Sequence, residues 1–198
     1  MRKAMLLAGV ATVLSFNANA FDFKPYVGLD YVYSNVKYDE VPAVISGVHV
    51  NIPSSYIKDK NNSLALNFGA KLHDNFGMEI FYQQSDEAEK HNDVGGLDGK
   101  ISGKFKAYGV DAVGYLPIKE KIEGIAAIGV AKYDFKGKLG GDFYGSDSDD
   151  GLGLRLGLGA QYNFNQHIAA RVTARYVLTD NDWVKHISEL AFGFRYNF

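Results

Sequence analysis

The sequence predicts an all-β protein, an eight-stranded antiparallel up-and-down transmembrane β-barrel. Three observations point there. Apolar and polar residues alternate with a period of two along most of the chain, the connectors alternate short and long, and no apolar stretch beyond the first twenty residues is long enough for a spanning helix. Strand side chains point to alternate faces, so a period of two marks a ribbon with one greasy side.

The chain opens with a basic pair, Arg2 and Lys3, and an apolar stretch over residues 4–16. Ala18-Asn19-Ala20 follows, the small-x-small pattern of a cleavage site. This layout reads as a signal peptide over residues 1–20, with residues 21–198 as an outer-membrane β-barrel domain of the exported protein. The apolar stretch is too short to remain as a membrane helix. Without Arg2 and Lys3 the 21 basic residues fall to 19 against 23 acidic ones, a net charge of −4. No basic stripe marks a nucleic-acid surface. The chain has no cysteine, which excludes thiol catalysis, cysteine metal sites and disulfides. A closed hydrogen-bond network must hold the fold instead.

The clearest ribbon is GLGLRLGLGAQYN at residues 151–163. Leu152, Leu154, Leu156, Leu158, Ala160 and Tyr162 share one face, and Gly151, Gly153, Arg155, Gly157, Gly159 and Gln161 the other. A helix would scatter the leucines, and each interior glycine would cost it roughly 1 kcal/mol. In chain order, the first strand sets Val27, Leu29, Tyr31 and Tyr33 against Tyr26, Gly28, Asp30 and Ser34. The second sets Leu64, Leu66, Phe68, Ala70 and Leu72 against Ala65, Asn67, Gly69 and Lys71, and the third Phe76, Met78, Ile80 and Tyr82 against Gly77, Glu79 and Gln83. The fourth and fifth carry Tyr108, Val110 and Ala112, then Ala126, Ile128 and Val130, on their greasy faces. After the leucine ribbon come Ile168, Ala170, Val172, Ala174 and Tyr176 against Arg171, Thr173 and Arg175. The last strand sets Leu190, Phe192, Phe194, Tyr196 and Phe198 against Glu189, Gly193, Arg195 and Asn197.

Short turns are expected at residues 73–75, 117–121 and 163–167, with long polar loops at 37–62, 85–100, 136–150 and 179–185. Short turns on one rim and long loops on the other match a barrel of the outer membrane. The greasy face is assigned to lipid because aromatic residues bound it at both ends. Tyr33, Tyr82, Tyr108 and Tyr176 lie near the long loops, and Phe76, Tyr162, Tyr196 and Phe198 near the short turns. The other face carries Asp30, Lys71, Glu79, Asp111, Arg155, Arg171, Arg175, Glu189 and Arg195, read as a paired charge network filling a narrow lumen. Turns centred symmetrically would place Gly69 opposite Glu79, Gly159 opposite Arg171 and Arg155 opposite Arg175, with Asp111 or Glu189 between the two arginines. A soluble ligand-binding barrel, with its apolar face inward, is the competing arrangement.

The terminus Gly193-Phe194-Arg195-Tyr196-Asn197-Phe198 resembles the signal read by the outer-membrane insertion machinery, with Gly193, Tyr196 and Phe198 as its key positions. Together with the opening KPYVGLDY and the turn entry AVGYLP, it resembles the small outer-membrane barrel superfamily that holds the OmpA membrane domain, OmpX and the opacity proteins. The resemblance covers the whole mature chain. It implies a bacterial outer-membrane location.

Chemical motifs are sparse. His186 and Ser188 share a strand face and are similar to the His/Ser pairing of lipid A deacylases, but no residue stands out to orient the base or hold an oxyanion. Asp147-Ser148-Asp149-Asp150-Gly151 lacks the distal glutamate of a calcium loop. No catalytic residue, cofactor or metal is therefore expected. Lys104, Lys106 and Lys132 lie on the lipid-side register toward the outer rim, with Lys106 expected opposite Lys132 and Lys104 opposite Asp134. Like charges facing each other call for an anion between them, here a lipopolysaccharide phosphate. The first long loop is unusually apolar at Val44, Ile45, Val48, Val50 and Ile52. The function expected is a monomeric, non-enzymatic surface barrel that contacts outer-membrane lipid and offers its loops to a host or cell-surface partner. A narrow pore and a lipid A-modifying enzyme are the alternatives. No peptidoglycan-binding module is expected after Phe198.

Overall fold

The computed structural model describes residues 23–38, 41–45, 48–52, 59–94, 97–141, 145–180 and 184–198. The expected signal peptide lies outside these residues. Eleven strands follow in order: β1 (Lys24–Tyr38), β2 (Val41–Ile45), β3 (Val48–Ile52), β4 (Lys60–His73), β5 (Phe76–Ser85), β6 (Ala88–Val94), β7 (Leu97–Lys119), β8 (Ile122–Gly141), β9 (Gly145–Asn163), β10 (Ile168–Thr179) and β11 (Val184–Asn197). Eight of them, β1, β4, β5, β7, β8, β9, β10 and β11, pair in turn, and β11 returns to β1 to close the ring. These are the eight strands read from the alternation. All pairings are antiparallel, so no backbone edge within the ring faces lipid.

The faces divide as the period-two pattern requires. Leu158 is 70% and Phe194 64% exposed on the outside, whereas Arg195 is 2% and Asp30 2% exposed within. A soluble carrier would show the reverse, so the inward-apolar arrangement does not apply. Tyr33, Tyr82, Tyr108 and Tyr176 stand exposed toward one rim, and Tyr162, Tyr196 and Phe198 toward the other.

Two of the expected long loops are largely strand. The β7 strand runs 23 residues, β8 20 and β9 19, against the roughly 9–11 that a tilted strand needs to cross a bilayer. Within those polar segments, residues 88–94, 97–100, 136–141 and 145–150 therefore continue the ladder. Polarity misled because both faces of a strand beyond the membrane can meet water, which removes the greasy stripe but not the backbone hydrogen bonds. β6 pairs with β7 alone, and residues 145–151 of β9 pair with β8 alone. Beyond the ring these strands form a four-stranded blade, β6–β7–β8–β9, on one side of the rim. The first loop holds its own two-stranded hairpin, β2 with β3.

Candidate functional site

The lumen is the most heavily constructed part of the molecule, and it has two storeys. Four carboxylates (Asp30, Glu79, Asp111, Glu189) and four guanidiniums (Arg155, Arg171, Arg175, Arg195) are buried in the first, so their formal charges cancel. Arg195 grips Asp30 with two nitrogens, one of them at 3.0 Å, and Arg175 reaches the same carboxylate at 3.3 Å. Glu79 accepts from Arg171 at 3.1 Å and from the Tyr26 hydroxyl at 3.0 Å, and lies 3.5 Å from Arg195. Tyr115 donates to Tyr26 at 3.2 Å and itself accepts from Arg171. Glu189 accepts from Gln83 at 3.0 Å and lies 3.9 Å from Arg175. Arg155 pairs with Asp111 at 3.5 Å and stacks on the Phe81 ring, 3.6 Å from its centroid. Such a network holds charge in a dry interior because nearly every carboxylate meets more than one cation or donor.

Glycines make the room. Asp30 stands opposite Gly193 and Asp111 opposite Gly129 in their ladders. A Cβ at either glycine would fall on the facing carboxylate oxygen. Gly193, expected in the insertion signal, thus also borders the charge network, while Tyr196 and Phe198 lie exposed on the outer face.

Several expected registers are wrong by one ladder step. Gly69 does face Glu79, but Arg171 faces Gln161, Gly159 faces Thr173, Arg175 faces Gly157 and Arg155 faces Val177. The turn after β9 is not symmetric: Asn165 caps it through its side chain, accepting from the amides of His167 and Ile168 at 2.8 Å each. Arg155 and Arg175 therefore do not confront one another. Lys71 stands apart from the network at the short-turn rim, bound to Glu123 at 2.6 Å and over the Tyr115 ring. Glu123 was not among the expected site residues, although its odd position on β8 shares the phase of Ala127 and Gly129.

The second storey, toward the tall rim, is built around an apolar cluster. Phe105, Tyr133 and Phe135 lie 5.8 to 6.2 Å apart between ring centroids. Val36, Phe81, Val177, Val184 and Ile187 pack with them, all buried. Both storeys turn buried side chains into the tube.

On the outer wall the lysine registers also differ from expectation. Lys106 faces Asp134, Lys132 faces Tyr108, and Lys104 faces Lys136. The turn joining β7 and β8 carries a register shift between Pro117 and Lys119, which moves every later pair. Lys132 is held by Asp150 at 3.1 Å and Asp134 at 3.6 Å. The acidic segment at residues 147–151 is part of β9 rather than a loop, and no group of metal-ligating side chains occurs among the described residues. His186 stacks on Tyr176 with ring centroids 5.1 Å apart, while Ser188 is exposed beside it and Glu189 points into the lumen.

A closed antiparallel ring with an apolar outer face, tyrosines at both ends and charges sealed within defines a transmembrane β-barrel of the outer-membrane type. The sequence matches the family described as "Outer membrane protein beta-barrel domain" over residues 4–198, and the chain belongs to it. Solved structures agree on the fold. OprG of Pseudomonas aeruginosa is similar at 17% identity and a TM-score of 0.62, covering 90% of this chain and 97% of that one. Neisserial surface protein A is similar at 16% identity and 0.59, covering 88% and 97%. Ail, the attachment invasion locus protein of Yersinia pestis, crystallised with the heparin analogue sucrose octasulfate, is similar at 19% and 0.58, covering 89% and 99%. No curated protein sequence matches the chain. The protein resides in the bacterial outer membrane.

Proposed function

We propose that this protein is a non-conducting, non-enzymatic outer-membrane barrel that displays the β6–β9 blade to partners outside the cell. The observation that carries this reading is the inequality of the walls. Three adjacent strands of 19 to 23 residues outrun the membrane, while β10 has 12 and β4 14. Such lopsided height does nothing for spanning lipid. A sheet projecting from a rigid barrel offers a face and free edges to an extracellular partner. The filled lumen weighs against a pore, and the His186–Ser188 pair has no orienting acid among the described residues. Export by residues 1–20 and insertion through the aromatic terminus are parts of the same proposal. To test it, cells carrying the full chain are compared with cells carrying a chain lacking residues 88–101 and 138–147, at equal surface amounts. Stronger attachment to host cells or matrix by the full chain supports display. Equal attachment would contradict it.

A second element concerns lipid. Lys104 and Lys136 stand directly opposite on the outer wall, Lys106 is next to them, and none of the three makes an ion pair with another described residue. They sit one to two ladder steps beyond the exposed Tyr82–Tyr108 pair, where outer-leaflet phosphates lie. A bound phosphate relieves the repulsion of facing cations. Lys132, already neutralised by Asp150 and Asp134, plays at most a small part. Replacing Lys104, Lys106 and Lys136 by Gln is expected to lower lipopolysaccharide retention on purification, with Lys132→Gln close to wild type. Unchanged retention in the triple variant would remove the patch.

A further inference from the structure

The blade separates from the ring at two places, and the same device stands at both. On one flank the β4–β5 ladder pairs Ser63 with Ser85, so the next pair would be Asn62 with Asp86. The Asp86 amide does donate to the Asn62 carbonyl at 2.7 Å. The Asn62 amide, however, donates to the Asp86 side chain, Oδ1 at 3.0 Å, in place of the main-chain carbonyl of that residue. That carbonyl turns aside and accepts from the Ser85 hydroxyl at 2.8 Å. On the other flank the β9–β10 ladder reaches Gly153 and Thr179. There the Asp180 amide donates to the Leu152 carbonyl at 3.0 Å, and the Leu152 amide donates to Asp180 Oδ1 at 2.7 Å.

Each aspartate is the first residue past a strand end, and each uses its carboxylate where a regular ladder would use its own carbonyl. The neighbour's N–H is satisfied while the main chain is released from the sheet. At Asp86 the carbonyl is no longer in line with the ladder, because it is turned to the Ser85 hydroxyl. At Asn62 the clamp is braced further: its amide group donates to Asp86 Oδ2 at 3.3 Å, and its oxygen accepts from the Tyr31 hydroxyl at 2.7 Å.

We propose that Asp86 and Asp180 are paired ladder terminators, positioning residues that set the height at which the closed barrel opens into the blade. They leave both blade edges, β6 and residues 145–151 of β9, unpaired with the shorter wall. An unpaired row of backbone N–H and C=O groups is the ordinary docking edge for an extended peptide strand. That last consequence rests on the display reading above; the terminator role does not.

The test is amide hydrogen exchange, followed by NMR, on the full chain refolded in lipid or detergent. Four variants are compared: Asp86→Ala, Asp180→Ala, Asp86→Asn and Asp180→Asn. The alanine variants should accelerate exchange at Asn62 and Leu152 respectively by roughly tenfold to a hundredfold, the loss expected for a bond to a charged acceptor. Asparagine retains an acceptor oxygen in the same place and should recover most of the protection. Amides of Leu66 and Leu156, inside the ring, serve as the control and should not change. Wild-type exchange at Asn62 and Leu152 in the alanine variants would overturn the proposal, as would asparagine variants that exchange as fast as alanine. Neither outcome bears on cell attachment by the shortened blade, so the two readings fail separately.

Discussion

The two storeys of the lumen fill the same tube by opposite means. The charged storey is held by directional bonds between groups that could not be buried singly, whereas the apolar storey is held by the contact of rings and branched side chains. The difference shows in what removal does. An unpaired charge in a dry interior costs about 3–5 kcal/mol, at or above the cost of a gap between hydrocarbons, yet a charge pair replaced whole by apolar side chains costs little.

The largest effect should come from Asp30→Ala, which removes the carboxylate shared by Arg195 and Arg175 and leaves each with one longer ion pair, to Glu79 and Glu189. A loss of about 3–5 kcal/mol is expected, read as a lowered urea midpoint of the folded barrel. Phe105→Ala opens the apolar storey and should cost about 3 kcal/mol in the same assay, the low end for a buried phenylalanine. If the alanine at residue 105 proves costlier than that at residue 30, the contrast between the storeys is reversed. Replacing Arg155 by Met together with Asp111 by Leu removes a whole pair, and the double variant should fall within about 1 kcal/mol of wild type. Either single replacement should be worse than the double. The smallest change is Tyr133→Phe, whose hydroxyl has no hydrogen-bond partner among the described residues; stability should change by less than about 1 kcal/mol.

The storeys also differ in how openly the sequence displays them. The eight charges were legible because each interrupts a greasy strand at a fixed phase, as Arg155 does among the leucines of β9. Their partners were not legible. Asp30, on the first strand, bonds Arg175 and Arg195 across ladders whose registers depend on turn geometry, and Asn165 and the bulge after Pro117 each shifted a hairpin. The apolar storey was missed, although a signal exists. Lys104-Phe105-Lys106 and Asp134-Phe135-Lys136 invert the usual sense of the alternation, placing charge on the lipid-side register and an aromatic ring inside. That inversion marks the height at which the strand leaves the membrane. Glu123 escaped for a simpler reason: beside a turn rich in charges, it looked like another solvated residue. Asp86 and Asp180 could not be distinguished from ordinary loop aspartates without the ladder positions of Asn62 and Leu152.

Ion conductance of the purified full chain in a planar lipid bilayer tests the filled lumen most directly. On the non-conducting reading, the wild-type protein should insert without opening steady channels at neutral pH, with the buried rings of Phe105, Tyr133 and Phe135 standing over a neutralised charge network. A stable ohmic conductance from the folded wild-type protein would contradict the account.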